Sequence, residues 1–164
     1  MTQEQAYQAL QKSTISVFST MLNLTVSPGE PCEKVDPPPI NGVMALLGFT
    51  GEWIGTGVLF CQEKLAMRLS AAMLLNDVSE ISPDVLDGIG ELANMVFGNF
   101  KDNLEPISGA LAISIPTVVY GRNFQARSPG NRAWLVAPFT VDDDTFEARV
   151  CLLPKKNQPA PGRR

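Results

Sequence analysis

One long run of helical periodicity narrows the possible folds more than any other feature of this chain. From Val85 to Leu104 the apolar positions are Val85, Leu86, Ile89, Leu92, Ala93, Val96, Phe97, Phe100 and Leu104, recurring every three or four residues. That spacing collects them on one broad helical face, and such a face has to be buried against another layer of structure. Ser82 is placed to act as N-cap, Pro83 fits the first helical position, and the charge of Asp84 in the first turn complements the helix dipole. The pattern predicts a helix that starts after Ser82 and ends near Asn103.

The rest of the chain supplies the layer. Ala6, Leu10, Thr14, Val17, Phe18 and Met21 describe a first amphipathic helix, and Leu65, Leu69, Ala72 and Met73 a second that runs to about Leu75. Val43–Phe49 and Trp53–Cys61, separated by Thr50-Gly51-Glu52, read as a hairpin. Leu111–Ile115, Ala133–Phe139 and Phe146–Leu153 read as further strands, with Asp142-Asp143-Asp144 as a solvated turn between the last two. Five prolines between Pro28 and Pro39 exclude helix there and allow at most a loop with a short edge strand. The expected fold is α+β: two or three helices, including the long one, packed on a largely antiparallel sheet of about five strands. It forms a single domain over 1–153, followed by a flexible Pro-, Lys- and Arg-rich tail over 154–164.

Composition removes several function classes. With 13 basic and 17 acidic residues, the net charge of −4 provides no basic field for a nucleic-acid backbone. The apolar stretches are all interrupted by Gly, Pro or charge, so no membrane span is expected. Cys32, Cys61 and Cys151 lack zinc or dithiol spacing, and with no signal-peptide pattern they point to a reducing, cytoplasmic setting. The chain has no histidine, which excludes Ser-His-Asp and Cys-His catalysis as well as histidine metal ligands. Any chemistry has to use carboxylates, amides, hydroxyls or groups of a partner. The Gly51–Gly57 stretch lacks the lysine of a phosphate loop, and the aspartate run lacks the spacing of a calcium loop.

The face of the long helix opposite its apolar residues carries Asp87, Glu91, Asn94 and Gly98, with Asp87, Glu91 and Asn94 in one line. On pattern alone two readings stand: an ordinary solvated face, or a polar pair presented to another molecule with Gly98 permitting close approach. The segment Asp87-Gly-Ile-Gly-Glu91-Leu-Ala-Asn94, with Pro116 following 22 positions after Asn94, resembles the signature of the CheC/CheX/FliY phosphatases. Gly90–Asn99, Ser114–Gly121, Val17–Met21 and Gly48–Trp53 are also similar to CheX-type sequences, so the likeness covers most of the chain. Of the nine glutamates only Glu91 is followed three residues later by asparagine, one motif where CheC-type members carry two, which favours CheX.

The resemblance implies a phosphatase acting on the phosphoaspartate of a CheY-like response regulator in chemotaxis or another two-component pathway. Asn94 would hold the attacking water and Glu91 would dock to the regulator's lysine, with no cofactor or metal of the chain's own and Mg²⁺ on the partner. Asp87 falls at the docking rim or is a plain solvated charge; Gly98 and Pro116 complete the motif, with Pro116 closing the strand after the helix. CheX members are similar in forming homodimers, and an open sheet edge suits that. The alternative is a noncatalytic adaptor that binds a regulator or flagellar component through the same helix. A metal-dependent or nucleophilic hydrolase of small molecules lacks the histidines and cysteine pairs it needs.

Overall fold

In the computed structural model, which describes residues 1–128 and 130–155, the chain runs α1 (Gln3–Leu22), β1 (Ser27–Pro28), β2 (Cys32–Lys34), β3 (Ile40–Gly51), β4 (Trp53–Cys61), α2 (Glu63–Leu74), α3 (Pro83–Ser108), β5 (Leu111–Ile113), β6 (Thr117–Phe124), β7 (Trp134–Val141) and β8 (Asp144–Pro154). The strands form one antiparallel sheet in the order β1-β7-β8-β4-β3-β5, with β2 also on β7 and β6 also on β3. The α+β expectation holds, with eight strands in place of about five. β1 and β2 come from the proline-rich segment, and the prolines confine each to two or three residues at the sheet edge. β6 escapes the sequence reading because it lies at the opposite edge, where no clean alternation of buried and exposed residues marks a strand.

The helices start and stop for local reasons. Thr2 and Gln5 form a reciprocal capping box that starts α1 three residues before its apolar stripe, and Asn23 ends it in the left-handed conformation. α3 continues past Asn103 to Ser108 although Pro106 lies in its last turn. Proline there removes one N–H, and the carbonyl it leaves unpaired belongs to exposed Asp102, where water can satisfy it. α2 ends at Leu75 with φ 55° and ψ 32°. Leucine in that left-handed region costs about 1–2 kcal/mol, since its Cβ crowds the following carbonyl.

α1 and α3 cover one face of the sheet. Val85, Ile89, Leu92, Ala93, Val96, Phe97, Phe100 and Leu104 are all buried as expected, and Leu86 is half-buried at the margin. Phe97 and Phe100 meet Phe49 of β3 edge-to-face at 6.0 and 5.6 Å between centroids, and Phe18 of α1 stacks on Phe146 at 4.7 Å. A Cβ on Gly57 of β4 would come within 2.9 Å of the Phe49 and Phe97 rings, so glycine is what lets the helix sit this close. Asn103 Nδ2 donates to Ser13 Oγ at 3.1 Å and fastens α3 to α1.

The other sheet face carries a smaller cluster of Ile40, Met44, Val58, Trp134, Val136 and Cys151. Buried Arg149 on this side pairs with Glu147 at 2.6 Å, and Lys34 of β2 joins Glu147 at 3.3 Å, which ties the short edge strand to β8. The aspartate run is more than a solvated turn. Arg68 of α2 pairs with Asp142 and with Asp144, the latter at 3.2 Å, while Asp143 is exposed. Of the tail expected over 154–164, Pro154 closes β8, Lys155 N–H donates to Glu52 O at 2.9 Å, and 156–164 lie outside the described residues.

The three cysteines are free, Cys32 exposed and Cys61 and Cys151 buried, and burial pushes the Cys61 thiol up to about 12. Native protein should therefore expose one rapidly reacting thiol to a disulfide reagent, with the other two appearing only on unfolding; rapid titration of all three would contradict the packing. Phe97→Ala should cost about 3–5 kcal/mol in urea unfolding. A loss below 1 kcal/mol would mean that α3 is not seated on Phe49.

Candidate functional site

Helix periodicity and core burial together dictate which side of α3 faces outward. Because the apolar residues are held against the sheet, Asp87 and Glu91, one turn apart, are exposed, and Asn94 is half-buried three residues on. Among the described residues, the ion pairs of α3 are confined to its last turns, where Lys101 bonds Asp102 at 2.8 Å and Glu105 at 3.3 Å. The Asp102 hydrogen bond, and after it the Glu105 contact, hold the Lys101 pKa above its ordinary value against the lowering effect of burial. Among the described residues no such bond engages Asp87, Glu91 or Asn94, so carboxylates and an amide are presented with their hydrogen-bonding capacity open.

The glycines on this helix divide by role. Gly88 and Gly90 are buried. A Cβ on Gly88 would stand 2.7 Å from Ser70 Oγ of α2, and one on Gly90 would stand 3.1 Å from Val118 Cγ2 and 3.6 Å from Pro116 Cγ. Both serve internal packing: α2 presses on one flank of the polar line and the β5–β6 edge on the other. Gly98 is half-buried, with Ile113 Cδ1 at 4.0 Å from its would-be Cβ, so it leaves open room beside Asn94.

The edge flanking this line is one strand path broken in the middle. β5 pairs with Phe49–Gly51 and β6 with the β3 segment from Ile40 to Leu46, which leaves Ser114, Ile115 and Pro116 between them. Ser114 fixes the break: its N–H donates to Gly48 O at 2.9 Å, its hydroxyl accepts the Gly48 N–H at 2.8 Å, and the same hydroxyl donates to Ile115 O at 2.9 Å. Pro116 then packs toward Gly90. The strand expected over Leu111–Ile115 therefore stops at Ile113, because the Ser114 side chain takes over a backbone role.

Gly90, Asn94 and Gly98 recur every fourth residue, so Asn94 lies between two positions without side chains and opposite the break. The fold thus brings Glu91, Asn94, Gly98 and Pro116 to one surface, with Asp87 one turn away. The sequence reading missed Ser114 and Ile115 as parts of that surface; the clue available was a Ser-Ile-Pro tripeptide interrupting a strand. A polar cleft of 370 Å³ lined by Asn41, Gln62, Glu63, Lys64 and Arg122 holds none of these residues. No cluster of metal-ligating side chains occurs among the described residues, and no described helix is long and apolar enough to cross a membrane.

Comparison with known proteins identifies the fold and the family. The family model described as chemotaxis phosphatase CheX matches residues 43–140, from β3 into β7. The CheY-P phosphatase CheX of Thermotoga maritima is 27% identical over 126 residues, covering 74% of this chain and 79% of that protein. The crystal structure of chemotaxis protein CheX from Vibrio vulnificus superposes with a TM-score of 0.82 at 25% identity, covering 90% of this chain and 99% of that one. The CheX–CheY–BeF3–Mg²⁺ complex from Borrelia burgdorferi shares the fold, with a TM-score of 0.77 at 21% identity over 88% of this chain and 96% of that one. With the family model spanning more than half of its length, the chain belongs to the chemotaxis phosphatase CheX family.

Proposed function

We propose that this protein hydrolyses the phosphoaspartate of a CheY-like response regulator, with Asn94 positioning the attacking water and Glu91 docking to the regulator's lysine. The observation that carries the reading is the unengaged Glu91 and Asn94 on the outer side of α3, Asn94 lying between two glycines. In the reaction the oxygen of water forms a bond to phosphorus, and the bond from phosphorus to the aspartate carboxylate oxygen breaks. Inorganic phosphate and a free carboxylate result. Such a transfer has a loose transition state, so a group that holds water in line contributes more than a covalent partner does.

An amide suits that task because it accepts a hydrogen bond through its carbonyl and donates through its NH₂. Glu91, one turn from Asp87, forms a charge pair with the partner that fixes the register of the complex, and Asp87 lies at the rim. Gly98 leaves the partner room beside Asn94, and Pro116 sets the edge against which α3 rests. The regulator supplies the Mg²⁺ and the phosphorylated carboxylate; the complex of the Borrelia relative with CheY, BeF3 and Mg²⁺ supports this division. It also accounts for activity in a chain without histidine.

The free thiols support a reducing, cytoplasmic setting. We further assign residues 1–153 to one phosphatase domain and the protein to a homodimer. Among the described residues β6 is paired on one side only, to β3, and its other edge can continue the sheet into a second copy. Light scattering should give twice the chain mass of 17.8 kDa, and a monomer at working concentration would exclude that assembly.

The activity is tested by following loss of label from a radiolabelled phosphorylated regulator with and without the protein. Acceleration should fall by about 100-fold or more in Asn94→Ala while its circular dichroism matches wild type. Glu91→Ala should lower kcat/KM by about 30-fold, the equivalent of about 2 kcal/mol, with weakened binding as well as slower turnover. Binding without any acceleration by the wild type would replace this reading with that of an adaptor.

A further inference from the structure

Two aliphatic side chains bracket the polar line of α3 from opposite flanks, and neither contributes to the core. Leu75, at the end of α2, and Ile115, in the break between β5 and β6, are each 88% exposed, the highest values among the large apolar residues described. Leu74 beside Leu75 is exposed as well. The two flanks are those defined by the glycine contacts: α2 reaches α3 through Ser70 at Gly88, and the β edge reaches it through Pro116 at Gly90. Leu74 lies one turn beyond Ser70 on α2, and Ile115 immediately precedes Pro116.

Both side chains are held out by fixed backbone. Ile115 stands between Ser114, whose hydroxyl is bonded to Gly48 and to the Ile115 carbonyl, and Pro116, whose ring sets its own φ. Leu75 occupies the left-handed conformation, where glycine or asparagine is the usual helix terminator, and the following Val78 and Ile81 anchor the connection to the core. Exposed leucine in a strained conformation gains nothing for folding at this position, so its placement points to use by another molecule.

The charge along the α2–α3 segment is one-sided. Between Arg68 and Lys101 there is no basic residue, while Asp77, Glu80, Asp84, Asp87 and Glu91 are all exposed. We infer that Leu75 and Ile115 are docking residues for the phosphorylated response regulator, gripping apolar contacts on either side of its phosphoaspartate while basic residues around that centre face the acidic surface. The inference rests on the phosphatase reading and deepens it. The polar line alone offers charge pairing in water, which gives orientation and on-rate more than affinity; apolar anchors at its flanks supply the buried contact. Because both are already fixed, little conformational freedom is lost on binding.

The test uses full-length Leu75→Asn and Ile115→Thr, which keep the left-handed cap and the β-branched backbone preference respectively. Each should raise KM for the phosphorylated regulator by about fivefold to tenfold with kcat unchanged, and neither should lower the melting temperature. Affinity for a beryllofluoride-activated regulator should fall by the same factor. Unchanged KM and affinity in both variants, or a fall in kcat alone, would overturn the inference, as would a change in oligomeric mass, which would assign these residues to self-association. If wild type fails to accelerate dephosphorylation, the phosphatase reading fails separately, and weaker binding of the variants would still mark this surface as the regulator's dock.

Discussion

Burial of the apolar face of α3 against β3 and β4 is the constraint on which the rest of the structure depends. Each fully buried Leu, Val or Phe on that face contributes roughly 1.5–3 kcal/mol relative to exposure. With several such residues on one helix, its rotation about its own axis is fixed: turning by one residue, about 100°, would expose the Phe97 and Phe100 rings now set edge-to-face on Phe49. The outward direction of Asp87, Glu91 and Asn94 follows from that fixed rotation. Depth is set separately, by Gly57 under the rings and by Gly88 and Gly90 at the flanks, positions where a side chain would hold α3 away from its neighbours.

Rigidity in the scaffold has a chemical use in the reading proposed above. A group that positions water gains its effect from being held, since a displacement of about 1 Å can cost a hundredfold in rate. Asn94 is carried by the middle of a long helix whose neighbouring turns are packed on three sides, by α1, α2 and the sheet. In a chain without histidine, a surface of this kind is suited to completing a site that a partner brings.

Much of the architecture was legible because it depends on periodicity. The three helices announced themselves by apolar residues every three or four positions and the five main strands by apolar and β-branched runs bounded by turns, and the buried face of α3 was read almost residue for residue. The misreadings share a physical cause. β6 has no buried face of its own, so its strand character comes from pairing with β3 and not from alternation. The extension of α3 through Pro106 depends on solvent satisfying one carbonyl. The Asp142–Asp144 turn looked purely solvated because Arg68, its partner, lies far away in sequence.

The sequence by itself determined that a carboxylate and an amide share the polar side of one long helix, and through its motif it pointed to the family, because helical spacing and residue identity are local properties. Only the tertiary structure decided what surrounds them. That Gly88 and Gly90 pack inward, that the strand path breaks at Ser114–Pro116 opposite Asn94, and that Leu75 and Ile115 stand at the two flanks all depend on contacts between segments distant in the chain. Such contacts are set by the close packing of α2, α3 and the β3 edge, which no local pattern records.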